Sequence, residues 1–590
     1  MPKNVEKPKN MRTQNFESIF FVGKFLSGNQ LGKTIIEEVD SNDCLSSSYT
    51  TPMDVDGPSG AKRTRYDLTQ LSTENATADE IIAALDADAT ANSSDVLDEA
   101  GVKRLSNQLE KKATKNRELR IKYADDPQKF LESEMELNTA IQDMYALTAQ
   151  VELYPLLVKF GTVQLVLQLL SHENADIVAV ICNLLQELTD LDAMYENEDA
   201  AKDLIDELMQ SRIIENVVQA LKKLNEEDKD EADAVHNLLS VVENLFEFRP
   251  EAVKTSVEEG LFNWLLLRAT RKGPFDANRQ FASQHLAVIL QTSTEAQEKL
   301  TEKVDGIDLL LRALAVYKKT DPGTRDESEH MENLFDSLCA ALALKANRQI
   351  FLENEGVQLL NLILKEKKKQ SRSGALKALS FATAPVDGGA NCDKFIEIYG
   401  LRTLIPMFMR TPQQTKKKDT APDEHDEHVI SVIDALLFQC NDENRERVLQ
   451  QFAKHGFELV DRAVELFLKY KERVDNFTTR LRRKLRDNDE DMDAEEVYAE
   501  QLNNGLFTLQ RITLILTEVV TKGDSECKLR AAKLIKMKTR STLTEKFEPI
   551  LRDLHGFLDE EAVEQRTRIE KLIENLNTPT EANPSVDNQS

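Results

Sequence analysis

The chain has 590 residues, of which 41% are hydrophobic and 30% are charged, and its formal net charge is −28. Such a surface repels nucleic acid at long range and attracts basic partners, although acidic residues also serve solubility alone. No apolar run reaches the roughly 20 residues that a membrane-spanning helix needs. The six cysteines are scattered without metal-ligand spacing, which is typical of reduced thiols in a cytosolic or nuclear protein. We therefore expect a helical protein without direct nucleic-acid or membrane binding.

Residues 1–78 are predicted to form a disordered arm, because they lack sustained periodicity and are rich in Ser, Thr, Asn and Gly. A short basic cluster within the arm contains Lys62, Arg63 and Arg65. A disordered arm displays such a cluster in the extended form that an import receptor binds, so these residues are a candidate nuclear-localisation signal.

A second string in the arm, SGNQLGKT, resembles a phosphate-binding loop. That loop needs four residues between its glycines, and only three separate Gly28 from Gly32. No strand–loop–helix unit follows, so we predict no nucleotide or other cofactor.

Residues 79–150 begin with an acidic segment and continue into two predicted helices near 102–123 and 129–147. These helices are expected to cap the open end of a repeat array, which would otherwise expose apolar surface.

Residues 151–440 contain a repeat with a period between 44 and 50 residues. The period is marked by small residues, each followed by two apolar helix patterns: Gly161, Ser211, Gly260, Gly306, Gly356 and Gly400. A period in the forties built from helix pairs predicts an all-α solenoid of the armadillo or HEAT type. Residues 441–576 are predicted to be a further helical region and residues 577–590 a disordered tail.

Catalytic and metal-binding motifs are weak. His425 and His428 have a spacing of three residues that could hold a metal, but no third ligand is identifiable, and acidic residues at a helix start also favour the helix dipole. Neither a nucleophile elbow nor a Cys/His cluster is present, although a triad can assemble from distant residues. We predict no metal site, no catalytic residues and no enzymatic activity.

Three basic runs cover 365–372, 416–418 and 480–486. Aromatic residues do not alternate with them, so base stacking is not expected. Solvated helix faces or loops are the simpler interpretation, and contact with acidic protein or RNA phosphate is the alternative.

Several strings within and around the repeats resemble the β-catenin-like armadillo proteins of the spliceosome. They are NRELRIKY (116–123), LLQELTD (184–190), VENLFEFRPE (242–251), PFDANR (274–279), MENLFDSLC (331–339), CDKFIEIYGLRTLIPMFMR (392–410) and GLFTLQRI (505–512). The resemblance spans roughly 53–570. The string MDVDGPSGAKRTR, from Met53, resembles the usual start of this family, so residues 1–52 are expected to be an alternative start or a gene-model extension.

The resemblance implies a nuclear protein of the nineteen-complex branch of the splicing machinery. Its partners would be splicing factors with basic, localisation-signal-like segments, including the cell-division-cycle-5-like factor. A nuclear import adaptor and an armadillo scaffold outside splicing remain the alternatives, and self-association through the C-terminal helices is left open.

Importin-type armadillo grooves hold basic peptides with ladders of Trp and Asn, in which Asn clamps the peptide backbone and Trp packs Lys stems. Alignment of the second helices puts Glu187, Asn244 and Ala341 at the ladder position, and the chain has a single Trp. We therefore predict a groove that attracts basic segments mainly through carboxylates. Glu187 and Asn244 are the candidate contacts, and a solvated polar face is the alternative.

Overall fold

A computed structural model describes residues 97–302, 305–366, 369–412, 422–488 and 492–578, and in these ranges all regular elements are helices. The all-α class is therefore confirmed. The basic cluster at Lys62, Arg63 and Arg65, the SGNQLGKT string and the predicted tail lie outside the described residues, so the predictions made for them stay predictions.

From residue 97, where the described part of the chain begins, two α-helices precede the repeats, α1 (Glu99–Lys122) and α2 (Leu131–Asp143). The Asp98 carboxylate accepts a hydrogen bond from the Gly101 amide at 2.8 Å and so caps α1, because the first amides of a helix lack intrahelical partners. The two helices pack on each other, and α2 also contacts the first helices of the array. They occupy the position in which the sequence predicts a cap.

Five repeats contain three helices and the second contains four, where the sequence pattern indicates two. The helix directly before the predicted pair, H2 and H3, is called H1, and in the second repeat a further short helix precedes it. In chain order the helices are α3 (Tyr154–Lys159), α4 (Thr162–Leu169), α5 (Ala175–Leu188), α6 (Leu191–Glu196), α7 (Glu198–Gln210), α8 (Ile213–Lys223), α9 (Lys229–Phe248), α10 (Glu251–Glu258), α11 (Leu261–Ala269), α12 (Ala277–Thr292), α13 (Thr294–Lys299), α14 (Gly306–Leu314), α15 (Arg325–Ala341), α16 (Lys345–Glu353), α17 (Gly356–Lys365), α18 (Ser371–Ala382), α19 (Gly389–Glu397), α20 (Leu401–Phe408) and α21 (Pro422–Gln439).

The H3 helices are α5, α9, α12, α15, α18 and α21, and each contacts the next. Their apolar residues join those of H1 and H2 in one continuous hydrophobic core that extends from Val102 to Leu576. Since no single repeat can cover its own apolar face, stacking of neighbours holds the array together.

The small residues of the period lie in the turn between H1 and H2 or at the first residue of H2, and they serve two different purposes. Gly161 and Gly260 have φ angles of 70° and 91°, in the left-handed region that favours glycine. Gly356 and Gly400 have no such angle, but a Cβ on either would collide with a phenylalanine ring of the preceding H1, from Phe351 and Phe395 respectively. The sequence period thus marks a recurrent close turn.

Between residues 442 and 578, the described part of the chain after the repeats contains seven further α-helices. They are α22 (Asp442–Ala453), α23 (Glu458–Asn488), α24 (Ala494–Gln501), α25 (Phe507–Lys522), α26 (Ser525–Thr539), α27 (Leu543–Phe557) and α28 (Val563–Asn577). Helix α25 packs on α21 as each H3 packs on the one before, and it is buried on all sides from Phe507 to Val520. The stack therefore continues past residue 440.

A buried ionic cluster ties the last helix to this stack. The Arg568 guanidinium on α28 donates to Asp434 on α21 at 2.7 Å and to Glu518 on α25 at 3.1 Å. Arg511 also donates to Asp434, at 3.2 Å. Asp434 and Glu518 are almost fully buried, so each carboxylate depends on its cations to offset the loss of hydration.

The substitution Gly400→Ala is expected to destabilise the fold by about 1–3 kcal/mol, because its Cβ would lie 2.5 Å from the buried Phe395 ring. Gly556→Ala is the matched control, since a Cβ there has nothing within 4 Å and alanine favours a helix by up to about 1 kcal/mol. Urea denaturation followed by circular dichroism measures both. Equal stability of the two variants would contradict the close-turn interpretation.

Removal of one cation from the buried cluster should cost much more than removal of an exposed one. Arg568→Met is expected to lower the free energy of unfolding by about 3 kcal/mol and to speed hydrogen exchange in α28, because Asp434 and Glu518 lose a partner. Arg552→Met, which breaks an exposed pair with Glu548, should cost about 0.5 kcal/mol or less. Unchanged exchange in α28 would show that the cluster does not anchor it.

Candidate peptide-binding groove

The H3 helices present a row of partly exposed polar side chains along the inner layer of the solenoid. We call this row the H3 face and define it by Glu187 on α5, Glu243 and Glu247 on α9, Gln284 on α12, Asp336 on α15 and Lys377 on α18. These residues interrupt otherwise apolar helices, so they do not belong to the core. Stacked third helices give an armadillo solenoid its extended concave surface, which makes this row the candidate site.

Glu243 is the most buried of the α9 carboxylates on this face. Gln284 on the next H3 helix donates to it at 2.7 Å. Burial raises the pKa of Glu243, and the negative charge of Glu247, one turn further along α9, acts in the same direction. A cation that approaches this pair would offset both effects.

Lys377 is the cation of the H3 face, and it is already paired. Its ammonium group lies 2.9 Å from Asp336 on the preceding H3 helix. The pair neutralises the α15–α18 part of the face, so the uncompensated negative charge lies at the α5–α9 end. That end is where a basic segment would gain most from the field of the protein.

The two predicted contacts lie on neighbouring helices. Glu187 is half-buried on α5. Burial raises the pKa values of Tyr145 and Tyr154, and the negative charge of Glu187 acts in the same direction. The Asn244 amide lies 3.5 Å from the hydroxyl of buried Thr189, at the end of α5. Asn244 therefore bridges α5 and α9, and its amide is partly engaged within the protein. Their roles as peptide contacts stay predictions.

An exposed aromatic ring stands at the edge of this acidic end. Tyr195 on α6 is 51% exposed, and its ring centroid is 6.2 Å from that of Phe248 on α9. Burial raises the pKa of the Tyr195 hydroxyl, and the negative charge of Glu247 acts in the same direction. A lysine stem could pack on such a ring while its ammonium group reaches the carboxylate.

The ladder alignment was wrong in the fourth repeat. Ala341 is fully buried in α15 and lies in the core, so it cannot face a peptide. The residues of α15 that face the neighbouring H3 helices are Asn333, which contacts Ser283, and Asp336. Glu243 and Glu247 were not predicted from the sequence, although acidic residues four positions apart within an apolar helix were a signal. Trp264 lies on α11, an H2 helix, and packs against the core.

The two histidines considered for metal binding have separate partners. His425 contacts the Met407 carbonyl at 3.3 Å, and His428 contacts the Ser380 hydroxyl at 3.1 Å. Within the described ranges, no three His, Cys, Asp or Glu residues are grouped as a metal would require. The described cysteines are buried, and burial raises the pKa of Cys182 to about 12, which leaves that thiol unreactive.

The basic run 480–486 lies wholly within the described residues, and the run 365–372 lies there in part. Arg482, Arg483, Lys484 and Arg486 are exposed on the last turns of α23, as expected for a solvated face, whereas residues 416–418 lie outside the described residues.

The described part of the chain contains no helix with the length and apolar character needed to cross a membrane.

A stack of helical repeats with a polar face on the H3 helices defines an armadillo-type scaffold. A family model described as "Catenin-beta-like, Arm-motif containing nuclear" matches residues 79–551. The chain therefore belongs to the catenin-β-like family of Arm-motif nuclear proteins, which confirms both the resemblance and the solenoid fold.

Curated relatives agree with this assignment. Beta-catenin-like protein 1 of Homo sapiens is 44% identical over 454 residues, which are 75% of this chain and 80% of the relative. The protein of the same name from Bos taurus is 43% identical with the same coverage. A homologue of beta-catenin-like protein 1 from Schizosaccharomyces pombe is 31% identical over 471 residues, with 78% and 80% coverage.

The raised pKa of Glu243 predicts a pH effect on stability. A carboxyl group with a higher pKa in the folded state binds protons more tightly there, so folding becomes less favourable as pH rises from the ordinary value of 4.5 through the raised pKa. Glu243→Gln keeps the acceptor for Gln284 and cannot ionise. It should therefore be more stable than the unsubstituted protein at pH 8, and the difference should shrink as the pH falls through the raised pKa toward the ordinary value of 4.5.

Urea midpoints across this pH range measure the difference. Glu302→Gln, at an exposed position, is the control for the loss of one negative charge. A difference that does not change with pH would contradict the assignment of the effect to ionisation of Glu243.

Proposed function

We propose that this protein is a non-enzymatic nuclear scaffold of the pre-mRNA splicing machinery, associated with the nineteen complex. It binds basic, localisation-signal-like segments of splicing factors on the H3 face. Membership of an Arm-motif family described as nuclear supports the scaffold role and the nuclear location. The splicing role follows from the resemblance, which extends through both the repeats and the C-terminal helices.

One observation carries the binding proposal. The α5–α9 end of the H3 face combines Glu187, Glu243 and Glu247 with exposed Tyr195, whereas the cation of this face, Lys377, is held by Asp336. This arrangement favours Lys and Arg side chains through charge and aromatic contact. Backbone clamping contributes less, because Asn244 is partly engaged with Thr189.

The partner class is a protein with a short basic segment, and the cell-division-cycle-5-like splicing factor is the partner that the resemblance implies. The cluster at Lys62, Arg63 and Arg65 would direct the protein to the nucleus. The import-adaptor alternative requires a regular Trp and Asn ladder, but the single tryptophan, Trp264, lies on an H2 helix, and Asn244 is partly engaged with Thr189.

A basic peptide from such a partner should bind with an affinity that falls as NaCl is raised from 50 to 300 mM, because salt screens exposed charges. The double substitution Glu187→Lys with Glu247→Lys should weaken binding at least about tenfold, since it places two cations where the peptide needs carboxylates. Fluorescence anisotropy with the labelled peptide measures both effects.

Glu298→Lys with Glu458→Lys is the matched control, because both residues are exposed, lie outside the H3 helices and give the same change in net charge. An affinity that does not depend on salt, or an equal loss in the control, would refute the acidic groove. Affinity purification from nuclear extract tests the biological role. Recovery of splicing factors by the unsubstituted protein but not by the Glu187/Glu247 variant is expected, and recovery of transport receptors alone would favour the import-adaptor alternative.

A further inference from the structure

The outer surface of α26 carries a stripe of cationic and apolar side chains. Leu529, Lys533 and Lys536 follow one another at steps of three or four residues, Met537 lies four residues after Lys533, and Arg540 caps the end of the helix, so the five residues share one side. Leu529 is 70% exposed and Met537 is 66% exposed, and the three cations are exposed as well. We call these five residues the α26 stripe.

The opposite side of α26 is firmly docked. Cys527, Ala531 and Ile535 are buried, and the helix packs against α23 and α25. Arg530 adds a two-pronged ion pair to Asp461 of α23, with nitrogen–oxygen distances of 2.7 and 2.6 Å. The stripe is therefore presented on a fixed helix.

The cations of the stripe differ from other cations of the C-terminal helices. Arg530, Arg552 and Arg568 each have a carboxylate partner. Lys533, Lys536 and Arg540 have no ion pair within the described part of the chain. Residues 525–540 hold six cations and one acid in a chain of net charge −28, so this surface is a local positive region on an acidic protein.

The position of Lys536 and Arg540 near the C-terminus of α26 also suits the helix dipole. The dipole gives no reason for exposed Leu529 and Met537 on the same side. Large exposed apolar side chains among unpaired charges are typical of an interaction surface, because a partner can cover the apolar area and neutralise the cations together.

We propose that the α26 stripe binds an acidic segment of a partner protein that carries leucine-like side chains at helical spacing. Charge complementarity selects the acidic residues, and Leu529 and Met537 select the apolar ones. An RNA strand would use the cations but leave both apolar side chains uncovered, and the stripe has no aromatic ring for base stacking. This surface is separate from the H3 face and takes a ligand of the opposite charge.

The test uses the full-length protein and three labelled probes. The first is a 16-residue peptide of Glu, Ala and Leu with Leu at steps of three and four. The second has Ser in place of each Leu, and the third is a 12-nucleotide oligouridylate. The Leu peptide should bind, the Ser peptide should bind at least about fivefold more weakly, and the oligouridylate should bind more weakly than the Leu peptide. Equal binding of the two peptides, or tighter binding of the oligouridylate, would overturn the proposal.

Substitutions test whether the Leu peptide binds on the α26 stripe. The triple variant Lys533→Glu, Lys536→Glu and Arg540→Glu should weaken binding of the Leu peptide at least about tenfold. The double variant Leu529→Ser and Met537→Ser should weaken it at least about threefold. The matched control, Lys103→Glu with Lys202→Glu and Lys222→Glu, makes the same charge change at exposed lysines on other helices and should stay within about twofold.

Circular dichroism and retained binding of the basic H3-face peptide verify that each variant is folded. A loss in the control equal to that in the triple stripe variant would show a general charge effect and refute the site.

Discussion

The structure depends on one constraint, which is that no helix of a repeat can bury its own apolar face. Helix α5, for example, buries Ile177, Ile181 and Leu185 only because α2 and α9 lie on either side. The same relation recurs from α2 to α25 and produces a single core. Two consequences follow. The ends of the stack must be closed by other helices, and the polar residues that remain on the third helices are displayed at regular steps.

Much of this architecture could be predicted from the sequence, because the connection between H1 and H2 requires a small residue in each repeat. A left-handed backbone at Gly161 and a ring packed against Gly400 both demand a small residue, so the period is visible in the sequence. H1 was missed because a helix as short as α13 is too brief to show an amphipathic period. The place of α25 in the stack was missed for another reason. This helix is buried on every side, so its sequence gives no facing pattern.

The acidic character of the candidate site could be predicted from the sequence, but the residues of the third helices that face inward could not. The third helices α5, α9, α12 and α15 have 14, 20, 16 and 17 residues, so an alignment that assumes equal helices shifts the inward-facing position. That shift put Ala341 on the face and left Asp336 out. Ion pairs between helices likewise cannot be predicted from the sequence alone. The neutralisation of Lys377 by Asp336 decides where the face is acidic, and it depends on contact between residues 41 positions apart.

The buried cluster around Arg568 has a consequence for the order in which the protein is completed. Asp434 and Arg568 are 134 positions apart, so a ribosome releases the aspartate well before it has made its arginine. During that interval α21 carries a carboxylate that cannot yet be buried at low cost, since its principal cation does not exist. We therefore expect the ionic pairing of Asp434 to be completed only after α28 has been made, even though Arg511 on α25 is available earlier.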